Sequence, residues 1–262
     1  ANVLFEHLGV WSGATGGVSL TGSEPPDVLS EYAPQNARTE AAESTPAQVY
    51  GNAVLPVGGL ETLALSDDRA GYSYVSGFLR NVVSRGNAFG MFITSAEGVD
   101  IKNATFEDNL VDGLVLHRFV ANAVVRGARA TGNAVDGIRV TRAATGVLVE
   151  RATVEGNGRN GITVEGSPLT DGPSATGAPV GRFGNNEVVE SRVTGNARYG
   201  IEVLGGVNLT VDNNTVADHE AGIVVNDDVS KVEITDNVIE NSAEQGIALR
   251  NGVTDATVTG NE

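Results

Sequence analysis

The chain has 262 residues, enough for one large body, and its 34 glycines, 5% aromatic and 40% hydrophobic content describe a thin or repetitive core of small and β-branched side chains. A formal charge of -16, from 17 Lys and Arg against 33 Asp and Glu, excludes broad attraction to nucleic acid or an anionic membrane, so an anionic ligand must be held by a local basic cluster. With 0 cysteines there are no disulfides, thiolate metal sites or cysteine nucleophile; no run approaches the ~18 apolar residues of a membrane helix, and Ala1 opens no signal-peptide pattern.

Residues 1–22 predict two short strands, Asn2-Val3-Leu4-Phe5 and Gly17-Val18-Ser19-Leu20, separated by a glycine-rich turn around Trp11. From Ser23 to about Pro56 periodicity fails, with prolines at 25, 26, 34 and 46, and this stretch reads as a surface excursion. Alternation resumes at Leu63-Ala64-Leu65 and Tyr72-Ser73-Tyr74-Val75. Because the strand pattern is already running at Val3-Leu4-Phe5 and still running at Val258-Thr259-Gly260, a longer parent protein is expected.

From Gly90 onward the chain repeats. Glycines followed by an apolar, variable, apolar triplet stand at Gly90, Gly113, Gly137, Gly161, Gly200, Gly222 and Gly246, in steps of 23, 24, 24, 39, 22 and 24 residues. The long step contains a Pro- and Gly-rich insert, Ser167 to Phe183. Second apolar pairs occur at Val99/Ile101, Val147/Val149, Leu209/Val211, Val232/Ile234 and Ala256/Val258, and Asn109, Asn133, Asn157 and Asn196 each precede a marker glycine by four residues. Two or three short strands per turn of ~22–24 residues with Asn/Gly corners predict an all-β parallel β-helix over 1–262 as a single domain, not a propeller or a leucine-rich horseshoe. Side chains at i and i+2 would stack inward on the next coil ~4.8 Å away, and the corner asparagines would form a ladder. The calcium-binding glycine-rich nonapeptide is absent.

The marked strand carries the chemistry. If Leu114 and Leu116 point inward, Val115 and His117 point out, as do Phe92 and Thr94, Arg139 and Thr141, Thr163 and Glu165, and Glu202 and Leu204 on neighbouring coils. Arg118 and Arg142 fall one rung apart, a like-charge pair that needs an acidic neighbour (Glu165, Asp112 or Asp136) or a carboxylate ligand held by planar guanidinium groups. His117, bordered by Arg118, Arg139 and Arg142, stands where an imidazole can take the proton α to a sugar acid's neutralised carboxylate. Asp112 and Asp136 precede marker glycines, as ordinary Asp-Gly turns or as a stacked carboxylate pair, and the insert leaves just after Glu165 on the side of His117.

Asp112-Gly113-Leu114-Val115-Leu116-His117, followed one coil later by Asp136-Gly137-Ile138-Arg139-Val140-Thr141-Arg142, resembles the right-handed β-helix of mannuronan C-5 epimerases and related bacterial β-helix repeat proteins. The likeness covers Tyr74 to Glu262 as repeats, and its site-specific part is residues 112–142. The family motif reads Tyr-Gly-aromatic or aliphatic-Asp-Pro-His. By match His117 takes the position of the proton-transferring histidine and Arg142 that of a carboxylate-neutralising arginine, while Asp112 replaces the tyrosine, Val115 the aspartate and Leu116 the proline. The resemblance implies a right-handed, single-stranded parallel β-helix that is secreted or at the bacterial cell surface.

The leading expectation is an enzyme on an acidic, uronate-containing polysaccharide. In it His117, Arg142 and Asp112 are catalytic, Arg118, Arg139, Glu165 and Phe92 bind substrate, and proton abstraction at C5 leads to epimerisation or elimination. It needs no cofactor or metal and acts as a monomer, without nucleic acid or membrane. The alternatives are a glycoside hydrolase using Asp112, Asp136 and Glu165, and a non-catalytic binding or structural solenoid. A copper-associated β-helix is disfavoured by Cys 0, Met 1 and three scattered histidines.

Overall fold

A computed structural model describes residues 2–14, 16–22, 75–94, 96–117, 120–141, 144–166 and 184–262. They form a right-handed parallel β-helix with three walls. The first wall stacks Val18–Thr21, Met91–Thr94, Leu114–Leu116, Ile138–Val140, Ile162–Glu165, the front halves of the long strands Tyr199–Asp212 and Ala221–Thr235, and Ile247–Leu249. Every pairing is parallel, and the register aligns Val18, Met91, Leu114, Ile138, Ile162, Ile201, Ile223 and Ile247 in one inward column. The second wall aligns Phe5, Leu79, Ile101, Val125, Val149, Val188, Val211, Ile234 and Val258.

A third wall completes each coil, and its strands carry a single inward residue. Val10, Ser84, Phe106, Ala130, Val154, Val193, Val216 and Ile239 form that column. One inward residue per strand gives no alternation to read, which is why Gly9–Trp11, expected as a turn, is a strand of this wall. Phe106, among the largest fully buried side chains, stacks between Ser84 and Ala130, so a large residue is accommodated by small ones on the coils above and below.

The register also explains both breaks in the repeat. The coil 2–22 pairs strand for strand with 76–94, and Ile162–Glu165 pairs directly with 201–204, so the described coils on either side of each break are neighbours in the stack. Both breaks in the repeat follow a first-wall strand, Val18–Thr21 and Ile162–Glu165. The excursion, the alternations at Leu63 and Tyr72, and the insert lie outside the described residues.

The asparagine ladder forms. Asn109, Asn133 and Asn157 each donate from Nδ2 to the Oδ1 of the next rung, at 2.7, 2.9 and 2.8 Å, ending on Asn196. The same oxygens accept the backbone N–H of the rung before, so corner amides buried away from water are satisfied by identical side chains. The ladder dictates the marker glycine: a Cβ on Gly113 would lie 2.5 Å from the Gly137 carbonyl oxygen and 2.8 Å from Asn133 Nδ2. Asn87 extends the ladder at one end and His219 at the other.

Candidate active site on the first wall

The outward surface of the first wall is largely covered. Val115 (3% exposed), Thr163 (1%) and Glu202 (8%) all point away from the core yet are buried, which alternation alone does not anticipate. Two clusters occupy this surface, one aromatic and one acidic.

The aromatic cluster lies toward the N-terminal coils. The Phe89 and Phe92 rings meet edge to face at 5.6 Å, and the His117 imidazole lies 5.0 Å from Phe92, tilted by 42°. Gly16, Gly17, Ser19, Phe89 and Phe92 border a depression of about 320 Å³. His117 is half-buried at the strand end; its backbone N–H donates to the Ile93 carbonyl, and its Nδ1 lies 3.2 Å from the Thr141 hydroxyl one coil on. The hydroxyl, which can donate or accept, engages Nδ1 and fixes the ring's orientation, and Nε2 is the nitrogen on the other side of the ring. Glu165, buried at 9% exposure, closes the same row two rungs from His117, roughly 10 Å away at the spacing of parallel strands.

The acidic cluster begins at the other end of the strands. Asp136 is fully buried and its oxygens accept from Arg159 Nε at 2.8 Å, from Arg159 Nη2, from the Thr163 hydroxyl at 3.0 Å and from the Asn160 backbone N–H at 3.1 Å. Asp112 Oδ1 accepts the Asp136 backbone N–H at 2.9 Å. Asn160 Nδ2 donates to Thr163 and, at 2.6 Å, to Glu202 Oε2. Burial pushes the Asp112 carboxyl above its ordinary range, reinforced by the Asp136 charge and opposed by the Asp136 N–H, Arg139 and Arg159. Glu202 is also raised by burial, against the Asn160 hydrogen bond and the nearby Arg198 and Arg159. Arg139, one rung from Val115, has a buried Nε that makes no hydrogen bond.

These distances divide the residues singled out in the sequence. Phe92 and His117 are in contact, and Arg139 sits one coil away on the same surface. Asp112 and His117 occupy opposite ends of one rung, about 16 Å apart along an extended strand, so both cannot serve one sugar carbon. Asp136, with both oxygens engaged, is not placed to activate a water. Arg118 and Arg142 lie outside the described residues. Among the described residues no group of three or more His, Cys, Asp or Glu side chains is placed to hold a metal ion, and no helix is long and apolar enough to cross a membrane.

Arg159, Asn160 and Tyr199 join the site without having been marked by the repeat, while Thr141 and Thr163, expected to face outward, acquire hydrogen-bond partners there. The available signal for Asn160 is its position: it precedes Gly161 as Asp112 and Asp136 precede their glycines. Tyr199 holds the same place on the next coil, directly before Gly200. Tyr199 is buried beneath Arg198, 4.3 Å from its ring, and its hydroxyl accepts from Arg250 Nη1 at 3.3 Å.

The family profile described as "Right handed beta helix region" matches residues 69–170 and 170–262. The chain belongs to this family. No curated protein matches its sequence. Among solved structures, the periplasmic alginate epimerase AlgG aligns with a TM-score of 0.54 at 17% identity, over 73% of this chain and 52% of that one. The A-module of Azotobacter vinelandii mannuronan C-5 epimerase AlgE4 gives 0.55 at 16%, over 72% and 66%, and the Agl-KA catalytic domain 0.56 at 16%, over 71% and 39%. The chain thus spans between two fifths and two thirds of these proteins. At such identities the likeness is one of fold.

Proposed function

We propose that the first wall binds a uronate-containing polysaccharide and that His117 exchanges the proton at C5 of one sugar, as in epimerisation or β-elimination. The observation that carries this reading is the placement of His117 on the outward face, its ring against Phe92 and its Nδ1 fixed by Thr141. A positioned imidazole is suited to take a carbon-bound proton once the adjacent carboxylate is neutralised. Phe92 offers an apolar face to a sugar ring, Arg139 has a guanidinium nitrogen without a partner, and Arg118 and Arg142 follow His117 and Thr141 in sequence as carboxylate holders. Glu165 is assigned to flanking sugars, and Asp112, at the far end of the rung, to a neighbouring sugar instead of the reacting one. Two alginate epimerases among the proteins of similar fold support the substrate class, and the periplasmic one supports an extracytoplasmic location.

The hydrolase reading keeps one favourable observation: burial raises Asp112 as a general acid requires. Its expected partner, Asp136, is held by Arg159. A panel of uronate-containing and neutral glycans separates the readings. Unsaturated products that absorb in the ultraviolet mean elimination and new reducing ends without absorbance mean hydrolysis. The proposal expects any activity to be confined to uronates and to fall at least about 100-fold in His117→Ala. Activity abolished by Asp112→Asn and Asp136→Asn but retained in His117→Ala would transfer the assignment to the hydrolase.

A further inference from the structure

The second wall carries a strip that the first-wall chemistry does not use. Arg80, Lys102 and Arg126 are in register on three successive coils, all exposed, between Glu6 on one side and Glu150 on the other. Their spacing is that of parallel strands, ~4.8 Å. Like charges directly opposite one another on adjacent strands repel, and this chain has a surplus of acids with which to avoid the arrangement.

Other arginines of the chain are matched to acids. Arg85 is paired with Asp108 at 2.9 Å, Arg151 with Glu190 at 2.7 Å and Arg159 with Asp136, while Arg129 lies between Glu107 at 3.9 Å and Glu155 at 3.7 Å. In the strip Arg126 is paired with Glu150, but among the described residues Arg80 and Lys102 form no ion pair. Glu6, directly opposite Arg80, does not close on it. Asp100, half-buried with its Oδ1 inaccessible, shares the Lys102 strand on the same face and forms no ion pair with it among the described residues.

Beside the cations runs an apolar edge. Phe78 is 50% exposed and pairs in register with Leu4, 63% exposed, and the Arg80 guanidinium lies 5.8 Å from the Phe78 ring centre. An exposed ring beside two cations on adjacent coils that form no ion pair among the described residues matches a ligand that runs along the solenoid axis and presents both apolar ring faces and spaced carboxylates. We infer that Phe78, Arg80 and Lys102 form a second, non-catalytic binding strip for an acidic polysaccharide strand lying along the second wall. The choice of polymer rests on the function proposed for the first wall; the strip itself rests on the second wall alone.

Binding of polygalacturonate, measured by affinity electrophoresis and calorimetry at several salt concentrations, tests it with the whole chain. Arg80→Glu/Lys102→Glu is expected to weaken binding by about tenfold or more and to flatten its salt dependence, with Arg80→Gln/Lys102→Gln intermediate. Arg151→Gln, at an exposed arginine already paired with Glu190, is expected to retain the binding. Equal affinity in wild type and the Glu double variant overturns the strip, and if His117→Ala alone weakens binding, the first-wall reading survives that failure. Absence of polygalacturonate binding by the wild type, or binding of a polyuridylate RNA as tight as that of the polyuronate, also overturns it.

Discussion

Two columns of polar residues run through the same coils three residues apart, and they behave oppositely. At Asn109, Asn133, Asn157 and Asn196 each amide both donates and accepts, so identical side chains satisfy one another without limit. At Asp112, Asp136 and Asn160 the side chains accept backbone N–H groups from the following coil, the reverse of the ladder's direction. An ionised carboxylate cannot donate, so this column cannot close on itself. It recruits Arg159, Thr163 and Glu202, and it leaves Asp112 with a raised proton affinity. A self-satisfying stack builds a scaffold, whereas a stack that needs unlike partners assembles the mixed charges of a site.

The largest effect should come from breaking the ladder. Asn133→Leu strips partners from Asn109 N and Nδ2, from the Phe106 carbonyl and from Asn157, and is expected to cost at least about 4 kcal/mol in urea unfolding. Next, Arg159→Met leaves the Asp136 carboxylate buried without its cation, an expected loss of about 3 kcal/mol, much of it recovered by adding Asp136→Asn, whose amide oxygen still accepts from Asn160 N while its NH2 faces the Thr163 hydroxyl, which can accept as well as donate. If the double variant is no more stable than the single one, the acidic column is not organised by charge.

A smaller effect depends on pH. Asp112 and Glu202 are both raised in the folded state, so the stability they contribute is fully present below the ordinary carboxylate range and is lost as pH climbs through their raised values. Asp112→Asn and Glu202→Gln should each flatten the fall in melting temperature across that window. The smallest change is expected from His219→Asn. His219 ends the ladder with Nδ1 at the Asn196 N–H and Nε2 3.1 Å from the Val193 carbonyl, contacts that the oxygen and NH2 of an asparagine can approximate within about 1 kcal/mol.

How legible each column was in the sequence follows from the same contrast. The ladder repeats one residue at one offset, and the marker glycine beneath it is fixed by sterics, so Asn133 and Gly137 announce the coil together. The third wall did not announce itself because Ser84, Phe106 and Ala130 share a column but no residue type. In the site, alternation places His117 and Phe92 on the same outward face of adjacent coils, while the register sets Phe92 opposite Val115 and their ring contact is a diagonal one that the structure adds. Arg159 reaches back one coil to Asp136 and Asn160 forward one coil to Glu202, contacts that depend on rotamers and on burial of the outward face. The 16 Å that separates Asp112 from His117 was implicit in their spacing, since five extended residues are too long for a shared reacting carbon.

The central claim is that His117 moves a proton at C5 of a uronate bound on the first wall. Incubation of a uronate polymer with the protein in heavy water, followed by NMR of the recovered sugar, reads that step directly, and elimination registers in the same sample as an unsaturated product. The expected result is deuterium at C5 or loss of that proton with the wild type, reduced at least about 100-fold in His117→Ala. Proton chemistry at C5 that persists unchanged in His117→Ala, or none on any uronate polymer with the wild type, would contradict it.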